Sequence, residues 1–387
     1  MPKRTATPWK TEVLLSFRRR TNSGFLYKIL FLSKISMQNI RKLNYTIDKS
    51  FHGRTIEAFL HSRGYTSSLL SSLKRVRFQE NGRTRFGIEK NGKWAFTVDR
   101  LSEGDSLDIS ILEEEKESSP PFPFPLEIVY EDEDILLVNK AAGIPCHPSP
   151  GHYGDTLCGA VTYYYKEKRL SPFVCRMIHR LDLETSGLLL IGKNKLSASL
   201  LNKEMQEGKI ERTYSAICQG NPVLAFEEGK LLPGLVKEEN ALLISAPIYK
   251  AEEEKMLRCV DFNKGQNALT RILSCQYFPE NNFSLLELKL ETGRTHQIRV
   301  HLSYISCPLL FDSLYGNDNL KPSRDNPCLG MEYRALNEQY SLTIKRQALH
   351  SQSIQFLHPF SGKAMHFDCP LPKDMQTLLY RKSSLLP

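Results

Sequence analysis

The run ILEEEKESSPPFPFPLE, Ile111 to Glu127, limits what this chain can fold into more than any other stretch. Glu113, Glu114, Glu115 and Glu117 repel one another, while Pro120, Pro121, Pro123 and Pro125 fix φ and remove backbone donors. Neither a helix nor an inner strand passes through such a segment, so it reads as a stiff, extended linker. It predicts a front module over 41–112, a linker over 113–125 and a large body over 126–380. That division suits the two or three domains that a chain of 387 residues suggests.

Charge isolates a further segment. The first 36 residues hold eight basic side chains against Glu12 alone, a net +7 of the formal +9. Residues 1–40 therefore read as a basic, disordered extension, or as translation begun upstream of Met37. An organelle transit peptide is the alternative, and the segment is kept out of fold reasoning. No stretch approaches the roughly 20 apolar residues of a membrane span. Nine scattered cysteines without a C-x-x-C pair point to neither a disulfide scaffold nor zinc. A monomer in a reducing, cytoplasmic setting is the expectation.

In the front module, GRTIEAFLHSRG places Ile56, Phe59 and Leu60 on one helical face and stops at Gly64. SSLLSSLKRVRF predicts a second helix with Lys74, Arg75 and Arg77 at its end. Strands follow, with turns at Asn91-Gly92 and Gly104-Asp105. This order resembles a small RNA-binding fold first seen in a ribosomal small-subunit protein, the S-four domain. On that resemblance Lys74 and Arg75 contact RNA; on the residues alone they equally suit a solvated helix end.

The body alternates strands and helices. LEIVYEDEDILLVNK gives two strands around an acidic turn, DTLCGAVTYYYKEKR a helix capped by Asp155, and NKLSASLLNKEMQEGKI a helix capped by Asn194. ERTYSAICQG and FSLLELKLETG read as strands, the second leading into the helix RTHQIRVHLSYI.

Two stretches carry residues suited to chemistry. In MIHRLDLETSGLLLIGKN, Asp182 stands at the mouth of an apolar strand, with His179 and Arg180 before it and Thr185-Ser186-Gly187 after it. An aspartate in such a turn is commonly a structural cap. Paired with an arginine it stays ionised and becomes a candidate nucleophile or base. In LETGRTHQIRVHL, Arg294 and Arg299 near a helix start suit either an anion or a buried aspartate.

Taken together, these motifs resemble the RluA-type pseudouridine synthases. His179-Arg180-Leu181-Asp182 with Thr185-Ser186-Gly187 is similar to the signature H-R-L-D-x-x-T-S-G. IVYEDEDILLVNKAAGIPCHP, ERTYSAICQG, TGRTHQIRVHL with DSLYG, and RQALHSQSIQFLHP with PLPKDM resemble four further blocks in the family's order, over almost all of 126–380. The resemblance implies an α+β fold, a mixed, mostly antiparallel central sheet with flanking helices, preceded by the small α+β RNA-binding domain. It implies that Asp182 is the catalytic aspartate, that Tyr214 stacks on the target uracil and helps move the proton at carbon 5, and that Arg299 pairs with Asp182. Arg180 and His179 face the RNA, and Arg294, His296 and Gln297 build the pocket wall. Three positions depart from the family pattern: Ala141 replaces a proline, Arg212 a lysine, and Phe311 a glycine before Asp312.

The implied reaction is isomerisation of uridine in structured RNA, large-subunit ribosomal RNA in the first instance and transfer RNA as the alternative. It needs no cofactor and no metal. One rival is a non-catalytic RNA-binding factor. Another is a cysteine hydrolase using Cys146 with His147 or His179, for which the sequence lacks a nucleophile elbow.

Overall fold

The computed structural model describes residues 40–112, 119–168, 170, 173–227, 232–250, 257–316, 337–339, 341 and 343–380. The basic N-terminal segment, the acidic run of the linker, and most of 317–345 lie outside the described residues.

The front module opens with a strand, β1 (Ile40–Thr46), that the sequence pattern did not announce. Two helices follow, α1 (Ile56–Ser62) and α2 (Ser67–Leu73). Each begins at a threonine, Thr55 or Thr66, whose hydroxyl accepts from a backbone N–H three residues on at 3.2 Å. Helix α2 stops earlier than predicted: Lys74 is its C-cap, and Arg77 already belongs to the next strand. That strand, β2 (Arg77–Glu80), forms a hairpin with β3 (Arg83–Phe86). β4 (Ile88–Lys90) and β5 (Lys93–Trp94) form another around Asn91-Gly92, where both residues have positive φ. With β6 (Ser106–Leu112) in the centre, the sheet order is β1-β6-β4-β5.

The module is not insulated from the body. Its core of Ile56, Phe59, Leu60, Leu69, Leu70, Leu73 and Leu107 also contains Leu196, with Leu200 and Phe360 packed against it. Arg41 adds a two-bond ion pair to Asp134, both contacts at 2.8 Å. Residues Gln38–Pro387 form one compact unit.

The body begins with β7 (Glu127–Glu131), β8 (Ile135–Lys140) and α3 (Leu157–Glu167). Thr156, not Asp155, caps α3: its hydroxyl accepts from Gly159 N at 3.0 Å, while Asp155 pairs with His152. Next come β9 (Arg176–Met177), β10 (Ser186–Gly192) and α4 (Lys195–Gln206), the last capped by Asn194 as predicted. β11 (Glu211–Gln219) and α5 (Pro222–Glu227) lead to the short strands β12 (Leu235–Lys237), β13 (Leu242–Ser245), β14 (Ile248–Lys250) and β15 (Arg258–Val260). β16 (Leu269–Phe278), β17 (Phe283–Leu290), α6 (Gln297–Tyr304), β18 (Leu349–Leu357), β19 (Ala364–Asp368) and α7 (Lys373–Tyr380) complete it.

The fold is α+β, built on an eleven-stranded sheet whose main path runs β12-β13-β16-β17-β11-β18-β10-β8-β7. All its pairings are antiparallel except β10 with β18. Leu188 and Leu190 point to one face, with Ala198 and Leu201 of α4. Leu189 and Ile191 point to the other, with α3 and α6. Covering on both faces explains why β10 is apolar at every interior position rather than at alternate ones. No described helix is long and apolar enough to cross a membrane.

Candidate active site

Asp182 lies in the turn that feeds β10, and its carbonyl accepts from Thr185 N at 3.1 Å. The turn is fastened from three sides. Lys140, fully buried, donates to the carbonyls of Ala141, Ile144 and Leu183 at 2.8–3.0 Å. Burial pushes its ammonium down to about 8. Arg346 donates to Glu184 O at 3.1 Å, and Gln347 donates to Thr185 Oγ1 at 2.8 Å. Gly187 then admits the parallel neighbour: its φ is +112°, and a Cβ there would stand 2.2 Å from Ser351 O. The Thr-Ser-Gly run is thus the geometry that lets β10 meet β18 beside the carboxylate.

Arg299 reaches the same carboxylate from α6, donating from Nη1 to Asp182 Oδ2 at 3.2 Å. Its Nε and Nη2 donate to Asp312 at 2.7 and 2.9 Å. The side chain of Asp312 is wholly buried and that of Arg299 nearly so, while that of Asp182 keeps 18% of its surface open. Burial opposes the Arg299 charge, but the two carboxylates outweigh it and hold its pKa above the ordinary value. Asp312 also accepts from the backbone N–H groups of Leu314 and Tyr315. Asp312 opens the DSLYG block quoted from the sequence, but nothing in that block names Arg299 as its partner. Phe311 keeps a glycine-like conformation, with φ +60°. That left-handed region is one glycine adopts at no steric cost.

An open cleft lies beside this pair, lined by Asp182, Arg180, Tyr214, Arg294, His296 and Arg299 among others. Tyr214 comes from β11, at a register shift in its pairing with β18. A bulge of this kind re-aims a side chain. Burial pushes its phenol pKa up. His296 caps α6 in the left-handed region, so the helix starts at Gln297, three residues later than predicted. Its Nδ1 lies 2.8 Å from the Tyr315 hydroxyl, which itself accepts from Arg258 N at 3.0 Å. Burial lowers the pKa of His296.

Other expected site residues are placed differently. Arg180 and Arg294 are exposed at the rim, Arg294 donating to Asn267 O at 3.0 Å. Gln297 lines the cleft only in part: it is buried, donates to Leu269 O and Thr270 Oγ1, and accepts from Thr292 and Arg294 N. It clamps the start of α6 to β16. His179 is not part of the cleft lining; its Nε2 accepts from Leu190 N at 3.2 Å, and burial pushes it down to about 3. Lys74 and Arg75 are exposed in the front module and do not line the cleft. The Cys146 thiol is buried, bonded to Leu181, and raised in pKa by burial, which is the opposite of an activated nucleophile.

The family model described as RNA pseudouridylate synthase matches residues 134–304. A ribosomal large subunit pseudouridine synthase D from Zymomonas mobilis is 35% identical over 320 residues, covering 81% of this chain and 90% of its own. An uncharacterized RNA pseudouridine synthase from Bacillus subtilis is 30% identical over 330 residues, covering 84% and 98%. Among solved structures, human RNA pseudouridylate synthase domain containing 4 aligns with a TM-score of 0.47 and 22% identity, over 66% of this chain and 92% of its own.

Proposed function

The chain belongs to the RluA-type RNA pseudouridine synthases, a family of isomerases, and from that premise we propose that Asp182 is the carboxylate on which its uridine isomerisation turns. The bond from the ribose anomeric carbon to uracil nitrogen 1 breaks, the base rotates in the cleft, and carbon 5 bonds the same sugar carbon. The carbon 5 proton leaves and nitrogen 1 is protonated, so no redox partner or group donor is needed. Asp182 acts either by attacking the anomeric carbon or by taking the proton of the neighbouring ribose carbon. Arg299 holds the carboxylate in place through its Nη1 bond to Oδ2.

Tyr214 gives the rotating base a flat face and stands where the carbon 5 proton must go. His296 and the rim arginines Arg180 and Arg294 face the extruded nucleotide and its phosphates. Unstacking a base costs a few kcal/mol, which cationic contacts with phosphates offset.

The observation that carries this reading is the partly open Asp182 carboxylate, bonded to a buried arginine and sharing a cleft with an aromatic ring. The substrate we assign is large-subunit ribosomal RNA, after the ribosomal large subunit synthases that the chain resembles, with the front module acting as an S-four-like RNA contact through Lys74 and Arg75. The test is purified protein on uridine-containing ribosomal RNA. Pseudouridine formation that Asp182→Asn abolishes supports the reading. Base-free ribose makes the enzyme a hydrolase, no change at all makes it a binding factor, and product on transfer RNA alone reassigns the substrate.

A further inference from the structure

The positive charge of the chain beyond residue 36 is concentrated in one place. Residues 74–100 hold eight basic side chains and three acidic ones, a net +5, where everything after residue 36 sums to +2. All three acids are engaged: Glu80 pairs with Lys42, Glu89 is buried beside Arg85, and Asp99 accepts from Phe96 N. Arg75 and Arg77 are exposed and have no carboxylate partner among the described residues.

Against this charge stands an aromatic stack. Trp94 lies between Phe86, 5.2 Å away and nearly parallel at 18°, and Phe96 at 4.5 Å. Arg77, directly across the hairpin from Phe86, sets its guanidinium 5.8 and 5.5 Å from the Phe86 and Trp94 ring centres. Trp94 is 45% and Phe96 56% exposed. Large aromatic faces left open beside free arginines are costly for a surface with nothing to cover them. The same combination suits unpaired nucleobases, which stack on aromatic rings while cations follow the backbone. A duplex offers its phosphates but hides its base faces, so duplex binding would use the arginines and leave the rings idle.

We propose that Phe86, Trp94 and Phe96, with Arg77, form a docking surface for a single-stranded stretch of RNA, separate from the Asp182 cleft. It rests on the reading of the chain as an RNA enzyme and adds where, and in what conformation, a second part of the RNA is held.

Trp9 is the only other tryptophan, so Trp9→Phe leaves Trp94 as the sole emitter in the full chain. Titration with a mixed-sequence single-stranded RNA oligomer should quench Trp94 saturably, with affinity at least tenfold tighter than for the same strand annealed to its complement. With binding read instead by the anisotropy of an end-labelled strand, Phe96→Ala and Trp94→Ala should each weaken single-strand binding about tenfold, while Trp94→Phe, which keeps a ring face, should stay within about threefold. Arg77→Gln should lower affinity and flatten its salt dependence. Equal affinity for strand and duplex, or unchanged affinity in both alanine variants, overturns the proposal. Pseudouridine formation by the Trp9→Phe protein is read in parallel. Product without quenching removes this surface and leaves the enzyme reading standing; quenching without product does the reverse.

Discussion

Replacing either carboxylate around Arg299 by its amide separates holding the site together from performing its chemistry. Asp312 is wholly buried and binds the guanidinium through two bonds, 2.7 and 2.9 Å, besides two backbone N–H groups. Asp312→Asn leaves a buried cation short of its main counter-charge, and breaking a buried pair from one side costs about 3–5 kcal/mol. Asp182 binds through one bond of 3.2 Å and is partly open to solvent. Asp182→Asn keeps Arg299 paired to Asp312, so its cost should be about 1 kcal/mol, near that of exposed pairs. With a urea m-value of about 3 kcal/mol per molar, the midpoint should fall by about 1 M or more for Asp312→Asn and by about 0.3 M for Asp182→Asn. Product formation should follow the opposite order: none in Asp182→Asn, reduced but measurable in Asp312→Asn under conditions where it is folded. Equal midpoint shifts, or the larger shift in Asp182→Asn, would refute the division of labour.

Stability should also fall with acid. Burial pushes His179 down to about 3 and His301 and His350 to about 4, whereas an unfolded imidazole titrates near about 6.5. From about pH 6.5 down to about 4 the unfolded chain binds protons that the native one refuses, so each histidine removes up to about 1.4 kcal/mol per pH unit; urea midpoints that stay level over that window would contradict the buried, neutral state. Gly187→Ala should cost about 3 kcal/mol or more, because its Cβ would meet the Ser351 backbone and its φ is positive; a folding yield and midpoint equal to wild type would show that the parallel contact is looser than drawn. Arg41→Ala should weaken the front module's attachment at Asp134, read as faster proteolysis near residues 113–125, and unchanged cleavage would count against that latch.

Local signals in the sequence located the strands and helices whose pattern is self-contained. The apolar run of β10, the Asn194 cap and the face of Ile56, Phe59 and Leu60 all stand where periodicity put them. Ends were less legible: Thr156 displaced Asp155 as a cap because neighbouring residues compete for the same few unsatisfied N–H groups at a helix start, and α2 gave way to a hairpin at Arg77. What no window of sequence contains is long-range pairing. Ser186 meets His350 across the parallel junction, Arg299 chooses Asp312 as well as Asp182, and Leu196 of α4 packs in the front module. The linker's composition suggested separation, but an extended segment fixes only the path between two modules, not whether they touch. Trp94 and Phe96 were legible as letters yet not as a surface, since exposure depends on the tertiary fold.

Leu196 and Leu200 belong to a body helix but fill the front module's core, so that helix works as a shared girder. Swinging the module away would uncover Leu196 at about 1.5–3 kcal/mol, besides breaking the Arg41 latch. If the hairpin holds RNA as proposed, such a girder is a caliper: the cleft is offered only a nucleotide lying at one fixed reach along the folded path. Choosing among many identical bases then becomes a measurement of length.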